Sequence, residues 1–304
     1  MIQRHEHGGL TWIDIERPSK DEVREIMEEY NIHPLVAEEL LLPSLKPKVD
    51  LYPDYIYLIL HFPAFKHTHQ GNAAQEIDFV IGKKFIITSR YDTIDPIHKF
   101  SKVFEVDSIL GKNDIGEHAG FIFFYMIRKL YRSLAHELDY LSDALRAAET
   151  RVFSDNEKEM VLELSRISRE LLHFKQSLSS HKEVLESFEV ASKRFFGEDF
   201  SYHAKDIIGA HFRTAGMIQS NIDVLTELRE TNNSLLSTKE NETVRILAII
   251  SFITFPLTLI AAIFSMDAIH TPLIGNQYDF WIIIAIMVTL ALSILTFFKF
   301  KRWL

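Results

Sequence analysis

Cysteine is absent from all 304 residues. That excludes disulfides, thiolate metal sites and cysteine nucleophiles. Positive charge is in deficit, with 33 Lys and Arg against 42 Asp and Glu, a formal net charge of −9. A general nucleic-acid binder carries a basic face, so no nucleic-acid partner is expected. No Gly-rich phosphate loop, nucleophile elbow or Ser/His/Asp arrangement occurs, and an enzyme is not expected. The first residues, MIQRHEHGGLTW, lack an apolar core segment, so no secretory signal is expected.

The most informative absence is local. Ile246–Phe264 (ILAIISFITFPLTLIAAIF) and Phe280–Phe298 (FWIIIAIMVTLALSILTFF) contain no charged residue. At about 1.5 Å of rise per residue each is a helix of roughly 29 Å, the thickness of a bilayer's hydrocarbon core. The intervening loop, Ala268–Asp279, has no Lys or Arg, whereas Lys239 and Arg245 precede the first run and Lys299, Lys301 and Arg302 follow the second. The positive-inside rule then puts both termini in the cytoplasm and the loop outside the cell (inner) membrane, with Trp281 and Trp303 at the interfaces.

What precedes these runs is charged and mixed. LTWIDIER alternates like a strand, and Ser19 with Glu22 forms a capping-box pattern that opens a helix to about Tyr30. A short helix follows Pro34. Tyr55–Phe62, Gln75–Ile81 and Lys84–Ser89 are β-rich, with IGKK as a hairpin turn. Beyond His118 the pattern is helical: 121–153, 156 to about 189, and a third helix from near Ser201 with no proline between Lys205 and Pro256. About sixty helical residues would extend roughly 90 Å, too long for one small domain, so this helix is expected to pack against copies or neighbours. The expected fold class is an α+β cytoplasmic domain (1–117), a long-helix stalk (118–240) and a membrane domain (241–304). In the last, the spans cover about 246–264 and 280–298, with an external loop at 265–279 and a basic end.

Within the first span, Asn241, Val244, Leu247, Ser251, Thr254, Thr258, Ala262 and Ser265 recur every three or four residues. This small, hydroxyl-bearing stripe is either a pore lining or a helix-packing seam. The run ends at Met266 and a lone carboxylate, Asp267. On His61, His67 and His69, in HFPAFKHTH, no fourth ligand has suitable spacing, and solvated histidines are expected there rather than a metal site.

NIHPLVAEELLLPSLKPKVDLYPDYIYLIL, KENETVRILAIISFITFPLTLIAAIF and the basic end KFKRWL, in that order, resemble the CorA family of divalent-cation channels. The resemblance covers essentially the whole chain. It implies a homopentamer in the lipid bilayer, transporting Mg2+, or cobalt or nickel, with the first span lining the pore. It makes Val244, Leu247 and Phe255 an apolar gate that stops ions by dewetting and Asn241 a cytoplasmic polar ring. It also makes Glu38, Glu39 and Asp206 regulatory Mg2+ ligands at subunit interfaces. A third acid expected on the helix after the sheet is Arg128 here, a cation that would repel the metal or pair with Glu38. The family's Gly-Met-Asn signature, preceded by Tyr, reads Phe264-Ser265-Met266-Asp267. Asp267 is thus expected as a selectivity element whose charge puts Mg2+ preference in question. Two alternatives stay open: a Zn2+ transporter of the same family, and a membrane scaffold or sensor that has lost transport.

Overall fold

The computed structural model describes residues 2–44, 46–63, 74–110, 116–154, 156–266 and 278–301. Six strands come first: β1 (Ile2–His7), β2 (Leu10–Glu16), β3 (Lys48–Leu51), β4 (Tyr55–Phe62), β5 (Gln75–Gly82) and β6 (Phe85–Arg90). Helices α1 (Lys20–Glu29) and α2 (Pro34–Glu39) lie between β2 and β3 in sequence. After the sheet come α3 (Asp95–Leu110), α4 (Gly120–Val152), α5 (Glu157–Ser177), α6 (His181–Phe196), α7 (Ser201–Phe264) and α8 (Asp279–Phe300). The chain divides into two compact units, Met1–Arg229 and Glu230–Leu304.

In the first unit the strands form one sheet, ordered β1-β2-β6-β5-β4-β3. Only β2 and β6 run parallel, with Trp12 opposite Ile86; the other neighbours are antiparallel. Two layers of helix explain why β4 and β5 are buried on both faces. On one face Ile13, Ile15, Tyr57 and Val80 pack with Val23 and Ile26 of α1 and Val36 of α2. On the other, Trp12 lies 5.5 Å from Phe100 of α3, and Phe79 lies 5.1 Å from Phe123 of α4, ring centre to ring centre. Trp12 also donates its indole N–H to Thr88, whose hydroxyl donates to Asp14. Asp14 in turn accepts from Arg90 at 2.8 Å, a buried, fully hydrogen-bonded ion pair that ties β2 to β6.

Local signals hold where they were strong. Ser19 and Glu22 form the reciprocal cap of α1 (3.3 and 2.9 Å), and Pro34 opens α2. The β5–β6 hairpin turns at Lys83-Lys84. A Cβ at Gly82 would collide with the Phe85 ring, so a larger residue there would have to displace that ring. Three elements lie outside the expected pattern: β1, β3 and α3. The single helix expected from 156 to about 189 is instead two, α5 and α6, broken at Leu178–Ser180. There Ser179 donates its hydroxyl to the Gln176 carbonyl, capping the helix end by a side chain instead of continuing it.

The second unit contains the C-terminal part of α7, and α8. The two helices are long and apolar enough to cross a membrane. Pro256 interrupts α7 chemically without ending it: it brings no N–H to the Phe252 carbonyl one turn earlier.

Candidate functional site

At about 100° per residue, Val244, Leu247, Ser251, Thr254, Thr258, Ala262 and Ser265 fall within an arc of about 80° on α7. Phe255 borders that arc, and Asn241 lies beyond it at the helix's charged end. All are exposed in the single chain. Ile249, Ile253, Pro256, Ile260 and Phe264 are buried or half-buried and occupy the opposite side. Phe298 of α8, itself buried, brings its ring 6.0 Å from that of Phe252. The hydroxyls of Ser251, Thr254 and Thr258 donate to the carbonyls of Leu247, Ile250 and Thr254 at 2.8–2.9 Å, and Ser265 donates to Ala262. The hydroxyl-bearing stripe and the packed face are therefore different sides of the same helix, so packing within the chain does not consume the stripe.

The acidic candidates belong to the first unit. Glu38 is exposed, while both oxygens of Glu39 lie 2.8–2.9 Å from the Lys48 ammonium, which also reaches Asp50 at 2.9 Å. Asp206, on the first turns of α7, lies 3.6 Å from Arg128 Nε and 3.9 Å from Arg213 Nη2. Arg128 thus pairs with Asp206 and not with Glu38. Among the described residues no three His, Asp or Glu side chains are placed to share a metal ion within one chain.

A buried polar chain behind α2 escaped the sequence reading. Glu76 accepts both from the Ser44 backbone N–H (2.7 and 2.9 Å) and from His61 Nε2 at 3.1 Å. Burial pulls the His61 pKa down, but the Glu76 carboxylate and the Ser44 carbonyl outweigh it, and the net shift is upward. On the same strand Asp78 is fully buried and accepts from the Tyr91 hydroxyl at 3.4 Å. Desolvation, and then the charge of Glu76, raise its pKa well above the usual carboxylate range. The His61 carbonyl in turn accepts from His181 Nε2 at 2.7 Å, and Tyr131 lies 2.7 Å from the other His181 nitrogen. Complete burial pushes His181 down to about 3, so it serves as a neutral connector between β4 and α4. Acids at alternate positions of the apolar strand QEIDFV were the available signal.

The comparisons decide the family. Residues 7–302 match the CorA-like Mg2+ transporter protein family. The chain belongs to it. A cobalt/magnesium transport protein CorA of Thermotoga maritima is 24% identical over 298 residues, covering 97% of this chain and 83% of its own. The complete structure of the CorA magnesium transporter of Methanocaldococcus jannaschii superposes with a TM-score of 0.84 at 20% identity, covering 97% of this chain and 92% of that one. The full-length CmaX protein is similar in fold, with a TM-score of 0.74 at 15% identity, covering 97% and 89%. The α+β unit, the long helix and the two apolar C-terminal helices are the fold this CorA-family chain shares with them.

Within that frame Ser265 and Met266 are exposed at the end of α7, whereas Asp267 lies outside the described residues, as do His67, His69 and Trp303. His61 is engaged inside the protein by Glu76 and Ser44.

Proposed function

We propose that the chain is one subunit of a homopentameric channel that carries divalent metal cations across the cell membrane with both termini in the cytoplasm. In this reading residues 1–117 form the cytoplasmic domain, 118–240 the stalk and 241–304 the membrane domain. The observation that carries it is the stripe on α7. It is exposed in the single chain and opposite the packed side, as a surface facing a shared axis must be. Val244, Leu247 and Phe255 form the apolar gate, Asn241 the polar ring below it, and Ser251, Thr254, Thr258 and Ser265 the wetted wall. Met266 and Asp267 form the outer mouth. Mg2+ is the first candidate cargo, with Co2+ and Ni2+ beside it. Glu38, Glu39 and Asp206 hold the regulatory metal between subunits, where oxygen ligands from two chains supply what one chain lacks.

Flux into proteoliposomes, compared for Mg2+, Co2+, Ni2+ and Zn2+, tests this together with the native mass in detergent. About five times the 35.3 kDa chain mass is expected. A monodisperse monomer or dimer would remove the pore. The carboxylate at Asp267, where the family has an amide, favours a second reading as a Zn2+ transporter; flux of Zn2+ well above Mg2+ would select it. A pentamer without flux of any of these ions would select the scaffold or sensor.

A further inference from the structure

The first unit contains a cavity of about 730 Å3 between α3, α4 and α7. This is within the range of small-molecule sites, ~300–1,000 Å3. Its charge runs against that of the chain: Arg128, Lys129 and Arg132 on α4 and Arg213 on α7 line it, and no carboxylate does, although the whole chain carries −9. The lining is aromatic as well, with Phe100 and Phe104 from α3 and Tyr125 and Tyr131 from α4, the helix that also carries three of the cations. Phe104 and Tyr131 are buried, while Tyr125 is exposed.

Cations gathered in a concave wall focus a positive field and favour a multiply charged anion over a single carboxylate. Guanidiniums present paired donors to phosphate oxygens, and aromatic faces accept a flat ring. Among the described residues Lys129 and Arg132 have no ion-pair partner, whereas Arg128 and Arg213 share Asp206 at 3.6 and 3.9 Å. These separations are long and partly exposed, so the pairs are weak and open to competition. We propose that this cavity binds a nucleotide-type anion, with the phosphates on Lys129, Arg132 and the two guanidiniums and the base on the aromatic wall. Bound phosphate competes with Asp206 for Arg128 and Arg213 and releases that carboxylate. Occupancy of the cavity and the charge state around Asp206 are therefore coupled, whatever ion the protein carries.

Calorimetric titration of the full chain in detergent, in chelator-treated buffer, tests it with ATP, inorganic triphosphate and adenosine as separate probes. ATP should bind most tightly, triphosphate less so and adenosine least. Lys129→Gln and Arg132→Gln should each weaken ATP about tenfold or more, as expected for loss of one charge-assisted hydrogen bond. Asp206→Asn should tighten ATP, because it frees both guanidiniums; a misfolded variant could only lose binding. Absence of ATP binding at millimolar concentration would overturn the proposal. So would equal affinity for ATP and triphosphate, unchanged affinity in both cation variants, or no gain in Asp206→Asn.

Discussion

Asp206 on α7 and Arg128 on α4 face each other with Oδ2 and Nε 3.6 Å apart, and Arg213 stands on the carboxylate's other side. Both partners of the closer pair are about two-fifths to one-half exposed, so it contributes about 0–1 kcal/mol to folding. Its weight is electrostatic: two cations beside an acid lower that acid's attraction for a metal ion. Arg128→Asn should therefore strengthen inhibition of flux by cytoplasmic Mg2+, and Asp206→Ala should weaken it. Flux assays over a range of internal Mg2+ read both. Unchanged inhibition in Asp206→Ala would mean that the salt bridge has replaced the metal.

Burial of His181 is expected to make the fold acid-labile. An unfolded imidazole titrates near 6.5, whereas burial pushes His181 down to about 3 in the folded chain. Between those values the unfolded state binds a proton that the folded state does not, so stability falls as pH drops through the window. The slope from this one group is about 1.4 kcal/mol per pH unit. His181→Gln should lower the melting temperature near pH 7.5, yet lose less on going to pH 5 than the parent does. An equal loss in both would place the acid lability elsewhere.

The absence of cysteine makes the chain its own background for accessibility mapping. Single cysteines at Ser251, Thr254 and Thr258 should react with a water-soluble, membrane-impermeant thiol reagent in the assembled protein, whereas cysteines at Ile253 and Ile260 should stay protected. The opposite pattern would turn the hydroxyl stripe into a helix-packing seam.

Asp267→Asn replaces the carboxylate by the amide that the resemblance to the CorA signature implies there, with almost no change of shape. A ring of carboxylates concentrates divalent ions and raises its members' pKa values by mutual repulsion. The variant should bind all divalent ions more weakly, discriminate better for Mg2+ over Zn2+, and lose the parent's decline in affinity between near-neutral and mildly acidic pH. Flux and calorimetric titration at the two pH values read this. Identical profiles would reduce Asp267 to a marker of the helix end.

Strong local chemistry was readable from the sequence. The reciprocal cap at Ser19 and Glu22, the largely apolar β4 and the charge-free spans each depend on neighbours in sequence. Elements held by distant partners were not. β1 reads IQRHEH and has no apolar face; Arg4 anchors it to Glu25 and Glu29 of α1. β3 is a four-residue edge strand rich in charge, as edge strands often are. The helix break before His181 accompanies that side chain's reach to the His61 carbonyl, a contact 120 residues away in sequence. The acids of α2 and α7 were individually legible, but the pairings of Glu39 with Lys48 and of Asp206 with Arg128 are fixed by tertiary packing, while Arg213 lies about two turns after Asp206 on the same helix.

In the proposed channel, the back-bonded hydroxyls of α7 have a consequence for the sign of the charge that can pass. A Ser or Thr hydroxyl has one hydrogen and two lone pairs, and at Ser251, Thr254 and Thr258 that hydrogen is committed to a carbonyl of the preceding turn. What these side chains can offer outward is acceptor capacity alone. Water around a cation turns its hydrogens away from the ion and meets oxygens ready to receive them. A chloride ion needs donors, and these three residues have none left to give. Along a stretch without a single charged side chain, hydrogen-bond direction can do the work that a charged ring does elsewhere.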